Sequence, residues 1–174
     1  MQPSRRQFFK GAAAAALAGA AATAPVGAGL CALLSPLSDP SPAHAPFVRV
    51  AALEAVPPDG VPRKFTVVED RIDAWTKSPN IPVGAVYLRR DATGNIAALN
   101  AICPHAGGLV DYLPGEQCFL CPLHKSQFNA DGSIKDDRSP AARGMDALEA
   151  EVRDGAIWVR FENFRAGVAQ KIPS

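Results

Sequence analysis

The run Cys103-Pro104-His105 and, fifteen residues further on, Cys121-Pro122-Leu123-His124-Lys125-Ser126-Gln127-Phe128, followed by Asp131-Gly132, organises the whole chain. Only three histidines and four cysteines occur among the 174 residues, and two of each stand in these two boxes. Two thiolates and two imidazoles suit either zinc or an iron–sulfur centre, because both accept mixed sulfur and nitrogen ligands. A structural zinc module is the plainer reading, but it would usually use a closer spacing such as C-x2-C. The near-mirrored C-x-H and C-x2-H boxes instead allow two matching loops to donate one Cys and one His each. A two-iron, two-sulfide centre uses such a set, with two sulfurs on one iron and two nitrogens on the other.

Outward from the boxes, the flanking sequence predicts an all-β domain. Sixteen prolines and fourteen glycines break the chain into short apolar runs, a composition of turns and short strands. The predicted strands are 47–56, 63–69, then a hairpin of 84–90 and 95–102 through Asp91-Ala92-Thr93-Gly94, the second arm running straight into Cys103. A turn at Asn129-Ala130-Asp131-Gly132 follows the second box. A last hairpin, 147–152 and 156–162, turns at Asp154-Gly155 and puts Ile157, Val159 and Phe161 on one face, Trp158 and Arg160 on the other. Residues 70–82, with Trp75 and two prolines, read as an ordered loop or helical turn, Trp75 being a core or lid residue. Residues 163–174 show no periodicity and are expected to be a surface tail.

The first 45 residues are of another kind. Ser4-Arg5-Arg6-Gln7-Phe8-Phe9-Lys10 resembles a twin-arginine export signal, whose substrates cross the membrane already folded, often with a cofactor in place. Residues 11–34 contain no charge, and 24 residues at about 1.5 Å each reach across a hydrocarbon core of about 30 Å. One N-terminal hydrophobic helix over 1–34 therefore serves either as a retained anchor or as a cleaved signal, with Ala43-His44-Ala45 as an A-x-A site. Residues 35–46 hold four prolines and read as a semi-rigid tether; His44 is a linker residue there rather than a ligand. The formal charge of +1 gives no nucleic-acid footprint.

On the two boxes, the turn after them and the proline-bearing loop Ser139-Pro140-Ala141-Ala142-Arg143-Gly144, the chain from 47 to 164 resembles a Rieske iron–sulfur protein. The resemblance implies an antiparallel β sandwich or barrel with a small cluster-binding subdomain at about 101–144, a C-terminal tail at 165–174, and one 2Fe-2S cluster. It implies that Cys103 and Cys121 hold one iron, that His105 and His124 hold the outer one, and that the third loop covers the site. Ser126 stands where the family has a hydroxyl donating to a bridging sulfide. Replacing two thiolates by neutral imidazoles raises the potential from about −400 mV to between about −150 and +300 mV. The second nitrogen of each ring then changes its proton affinity with the iron's charge, which couples the electron to a proton and suits quinol oxidation.

Three positions depart from the quinol-oxidising members of the family. Gly108 and Leu123 stand where those proteins carry two cysteines joined between the loops, and Phe128 stands where a Tyr often donates to a ligand sulfur. A lost donor disfavours the electron-rich reduced cluster and lowers the potential, compatible with a menaquinol-type donor. Cys118 reads as a small buried thiol. The resemblance implies an electron-transfer subunit of a quinol:cytochrome c oxidoreductase on the periplasmic face of the inner membrane, with quinol and a cytochrome as partners. A small subunit of another exported oxidoreductase, as in arsenite oxidases, is the alternative that keeps the cluster. A soluble ferredoxin fits less well with an export signal, and an oxygenase would need a second iron domain that the length does not provide.

Overall fold

Strand formation here begins with β-branched and aromatic residues such as Phe65, Val67, Val68, Val86 and Tyr87, which fit a pleated, half-buried surface. The computed structural model describes residues 45–72 and 76–174. The expected N-terminal helix, the export signal, nearly all of the tether, His44 and Trp75 lie outside the described residues. The strands are β1 Phe47–Ala52, β2 Arg63–Ile72, β3 Lys77–Arg90, β4 Ile96–Asn100, β5 Asp111–Leu113, β6 Cys118–Leu120, β7 Gln127–Asn129, β8 Ala147–Leu148, β9 Ala150–Arg153 and β10 Ala156–Arg160. They form three antiparallel sheets, β1-β10-β9, β2-β3-β4-β8 and β5-β6-β7. The all-β expectation holds for the described residues, whose one helical element is a single 3-10 turn at Leu53–Ala55.

The four-stranded sheet is shared by two cores. Side chains alternate along a strand, so Val86, Leu88 and Ala98 face one way and pack with Val67 of β2, Ala51 of β1 and Ile157 and Val159 of β10. Tyr87 and Leu99 face the other way and pack with Phe119 of β6, Phe128 of β7, Cys103 and Cys121. Each fully buried Val, Leu, Ile or Phe stabilises this arrangement by roughly 1.5–3 kcal/mol. The second core places the cysteines of both boxes directly against the rigid middle sheet. Tyr87 also ties the two sheets by polar contacts: its hydroxyl donates to Val110 O at 3.0 Å and accepts from Tyr112 N at 3.1 Å.

Three expectations need correction. Residues 70–72 and 77–82 are strand rather than loop or helical turn; β2 runs to Ile72 and β3 starts at Lys77, with Ile72 opposite Lys77. Pro79 and Pro82 are tolerated because β3 meets β4 only from Val86 onward, leaving this half of the strand with one neighbour, and because register shifts fall between Val67 and Val68 and between Glu69 and Arg71. The strand predicted over 147–152 is divided: β8 pairs with β4 and β9 with β10, so one run of chain crosses between sheets at Glu149. The strand predicted over 47–56 gives way to its 3-10 turn after Ala52. The closing turn stands as expected, and Ile157, Val159 and Phe161 are buried while Trp158 and Arg160 are only half so.

The tail is on the surface, but it is paired. Phe164 bridges Pro173, Arg165 N donates to Ile172 O at 2.9 Å and Ser174 N to Asn163 O at 2.9 Å.

A candidate cluster-binding site

β4 delivers the first box and β6 the second. In the first loop Cys103 N donates to Gly108 O at 2.7 Å and Gly107 N to Cys103 O at 2.9 Å. In the second, Cys121 N donates to Ser126 O at 2.9 Å and Lys125 N to Cys121 O at 3.0 Å. The offsets are the same: each cysteine donates five residues ahead and accepts from four residues ahead. Each loop also turns through a left-handed residue at that fourth position, Gly107 at φ 76° and Lys125 at φ 61°. The mirrored spacing of the boxes is thus matched in the backbone.

The side chains sort by depth. Cys103 is fully buried and Cys121 nearly so, whereas His105 is half-buried and His124 exposed. The two imidazole rings lie 4.9 Å apart between centroids and 84° from coplanar. Burial pushes the Cys103 thiol up from its usual range, and the neighbouring Cys121 adds to this, while the His105 N–H and the Ser126 hydroxyl pull the other way. Ser126 is completely buried, and its hydroxyl oxygen, like His105 Nδ1 and Ser139 Oγ, has no hydrogen-bond partner. The hydroxyl is therefore near enough to Cys103 to favour a thiolate without making a full bond to it.

Orphaned buried polar atoms are costly unless something satisfies them. Two of them, Ser126 Oγ and His105 Nδ1, belong to the site of two adjacent thiols and two adjacent imidazoles, a donor set that fits a two-iron cluster. Cys103 lies beside Cys121 and His105 beside His124, and ligands divided into such pairs suit two irons. The third loop takes part as well. Ala141 is buried in the core that contains both cysteines, and Gly144 passes so close to Gly132 that a Cβ there would lie 2.6 Å from the Gly132 carbonyl oxygen.

Several contacts around the site had no sequence signal. Leu123 lies across Gly108: a Cβ on residue 108 would sit 2.4 Å from Leu123 Cδ1 and 3.0 Å from Cγ. The two positions that lack the inter-loop cysteines are thus in direct apolar contact. Lys64 of β2 pairs with Asp111 of β5 at 2.7 Å, joining the middle sheet to the small one. Cys118 is free and buried, its thiol 3.7 Å from Glu116 Oε2, as its reading predicted. Phe128 is fully buried beside the cysteines.

An antiparallel β scaffold presenting paired Cys and His loops defines a protein of the Rieske class. The Rieske [2Fe-2S] domain family matches residues 47–153, more than half of the chain; the chain belongs to this family, and the domain carries one 2Fe-2S cluster. It is 37% identical over 111 residues to the chloroplastic cytochrome b6-f complex iron-sulfur subunit of Triticum aestivum, covering 55% of this chain and 49% of that one. It is 32% identical over 101 residues to the menaquinol:cytochrome c reductase iron-sulfur subunit of Geobacillus thermodenitrificans, covering 56% and 58%. The chain spans about half the length of the curated relatives it matches. Among solved structures, the plasma membrane Rieske protein PetC3 of Synechocystis PCC 6803 is 29% identical with a TM-score of 0.40, covering 49% of this chain and 85% of that one.

Proposed function

We propose that this chain is the electron-transfer subunit of a quinol:cytochrome c oxidoreductase, with Cys103 and Cys121 holding the inner iron and His105 and His124 the outer one. The observation that supports the reading best is the depth ordering: buried thiols behind, two adjacent imidazoles at the solvent edge. The cluster, when bound, supplies one-electron redox chemistry at a potential raised by its nitrogen ligands. The chain's own residues do the rest. The buried thiols and the Ser126 hydroxyl keep water from the inner side. The half-buried His105 turns an unpartnered Nδ1 inward, and its other nitrogen, with that of His124, would accept the proton of a quinol at the solvent edge. Likeness to a menaquinol:cytochrome c reductase subunit and the absence of a hydroxyl on Phe128 both favour a low-potential, menaquinol-type donor. The twin-arginine motif at Arg5-Arg6 supports export to the periplasmic face, where a cytochrome would be the acceptor.

Electron paramagnetic resonance of the dithionite-reduced protein, with a redox titration from pH 6 to pH 10, tests this. The expected result is a Rieske spectrum whose midpoint falls as pH rises. A colourless, EPR-silent zinc protein would overturn the ligand assignment, and a pH-independent midpoint would overturn the proton-coupled role of the imidazoles.

A further inference from the structure

The segment that follows the last strand returns to the cluster loops, and it does so through backbone groups. Gly167 N donates to Pro104 O at 2.9 Å, inside the first box, and a Cβ on Gly167 would lie 3.6 Å from the His105 carbonyl oxygen. The next carbonyl, Val168 O, accepts from Arg143 Nη1 at 2.5 Å. Arg143 belongs to the third loop and its other nitrogens are held by Asp146, Nε to Oδ1 at 2.9 Å and Nη2 to Oδ2 at 2.8 Å. That ion pair is almost dry, with side-chain exposures of 10% and 6%. The root of the segment is fixed too: Asn100, buried at the end of β4, donates from Nδ2 to Glu162 O at 2.8 Å and accepts Ile102 N on Oδ1 at 2.9 Å. One side chain therefore secures both the start of the tail and the stem of the first loop. The tail's own hairpin, Arg165 to Ile172 and Ser174 to Asn163, keeps Gly167 and Val168 at its tip.

We infer that residues 163–174 are a brace that holds the first cluster loop against the third, with Arg143 as the positioning residue that locks it. A bidentate guanidinium fixed by a carboxylate is pre-organised, so its remaining N–H reaches the tail carbonyl with little further loss of freedom. Because the brace grips the first loop at Pro104 O, it restrains that loop through the backbone.

The test compares the full chain, a chain ending at Phe164, and a full-length Arg143→Gln/Asp146→Asn pair, which removes both charges together and leaves neither buried alone. Two quantities are read: amide exchange at Gly107 and Cys103, and the rate of loss of visible cluster absorbance in mild urea. We expect both to rise about tenfold in the shortened chain, the scale of one or two hydrogen bonds, and by a similar factor in the paired variant. Combining the paired variant with the shortening should add nothing at Gly107, since Arg143 reaches the first loop only through the tail. Unchanged exchange in the shortened chain, or additive effects in the combination, would overturn the brace. If the shortened chain does not fold, the paired variant in the full chain decides by the same exchange readout. The cluster readout rests on the ligand assignment proposed above, whereas exchange does not, so a chain that binds no cluster yet loses protection at Gly107 would retain the brace and refute the ligands.

Discussion

Gly108→Ala should strain the first loop through Leu123 alone, and a double-mutant cycle shows whether it does. Gly108 is not in the left-handed region, so alanine is acceptable to the backbone there. Its Cβ, however, would lie 2.4 Å from Leu123 Cδ1 and 3.0 Å from Cγ, well inside the ordinary contact distance of about 3.5–4.0 Å. The terminal methyl of an exposed side chain can swing away, but Cγ moves only if the whole rotamer changes, so the cost falls at about 1–2 kcal/mol, the lower part of the overpacking range. Leu123→Ala loses a contact of its own. With Leu123 59% exposed, about two-fifths of a burial worth roughly 2 kcal/mol is at stake, or about 1 kcal/mol. In the double variant both clashing atoms are gone, and the remaining neighbour of the new Cβ, Cys121 Sγ at 3.7 Å, is an ordinary contact. The double variant should therefore be destabilised by about 1 kcal/mol rather than the sum of the singles, a coupling of about 1–2 kcal/mol or about five- to thirtyfold in rate. Urea denaturation and the rate of cluster loss in fixed urea both report it. Additivity within about 0.3–0.5 kcal/mol would refute the contact.

Ser126→Ala removes a completely buried hydroxyl beside Cys103; with its hydrogen bond to the cluster lost, the midpoint should fall by about 40 mV, the one-electron equivalent of about 1 kcal/mol, with the EPR spectrum kept. Phe128→Tyr works in the opposite direction: a hydroxyl donated to Cys121 raises the midpoint by a similar amount, and an unmoved midpoint would show that it reaches no sulfur. Tyr87→Phe strips the hydroxyl that joins Val110 O and Tyr112 N and leaves two backbone groups short of a partner, so the protein should lose about 1–3 kcal/mol by urea denaturation. A change under 0.5 kcal/mol there would mean that packing and the Lys64–Asp111 pair hold the small sheet without this hydroxyl.

What could be read in advance was whatever the chain writes in local chemistry. The boxes, the turn at 129–132 and the hairpin at Asp154-Gly155 depend on residues close in sequence, and Gly132 and Gly155 adopt the positive φ that such turns require. The misreading of 70–82 came from treating Pro79 and Pro82 as breakers. A proline breaks a strand only where its missing N–H would have met a neighbour, and whether one exists is decided by β4, residues away in sequence. The split of β8 from β9 is of the same type, since an alternating run looks alike whether one sheet or two receive it. At the site, the four Cys and His positions were legible from spacing, but the tail was not. Its attachment uses Gly167 N and Val168 O, groups that every residue carries and that leave no trace in a pattern of side chains.

The Leu123 contact and the tail restrain the first loop from two sides in a chain that has Gly108 and Leu123 where the family resemblance places a cross-link. A disulfide between positions fifteen residues apart would be worth about 3 kcal/mol, mostly by restricting the unfolded chain. The Leu123 contact supplies about 1 kcal/mol, and one neutral and one charge-assisted hydrogen bond at the tail supply about 2–4 kcal/mol more. Only the Leu123 contact joins the same two loops as such a disulfide, the tail tying the first loop to the third, and these contacts also act differently from a covalent bond. A disulfide holds the loops even when the native packing opens, whereas packing and hydrogen bonds vanish together once any of them is lost. Cluster retention in this chain should therefore be cooperative with tail docking and indifferent to thiol reductants, since neither Leu123, Gly167 nor Arg143 has a bond that a reductant can break. Loss of the cluster on adding dithiothreitol alone, with the tail still docked by amide exchange, would show that some thiol-dependent link outweighs these contacts.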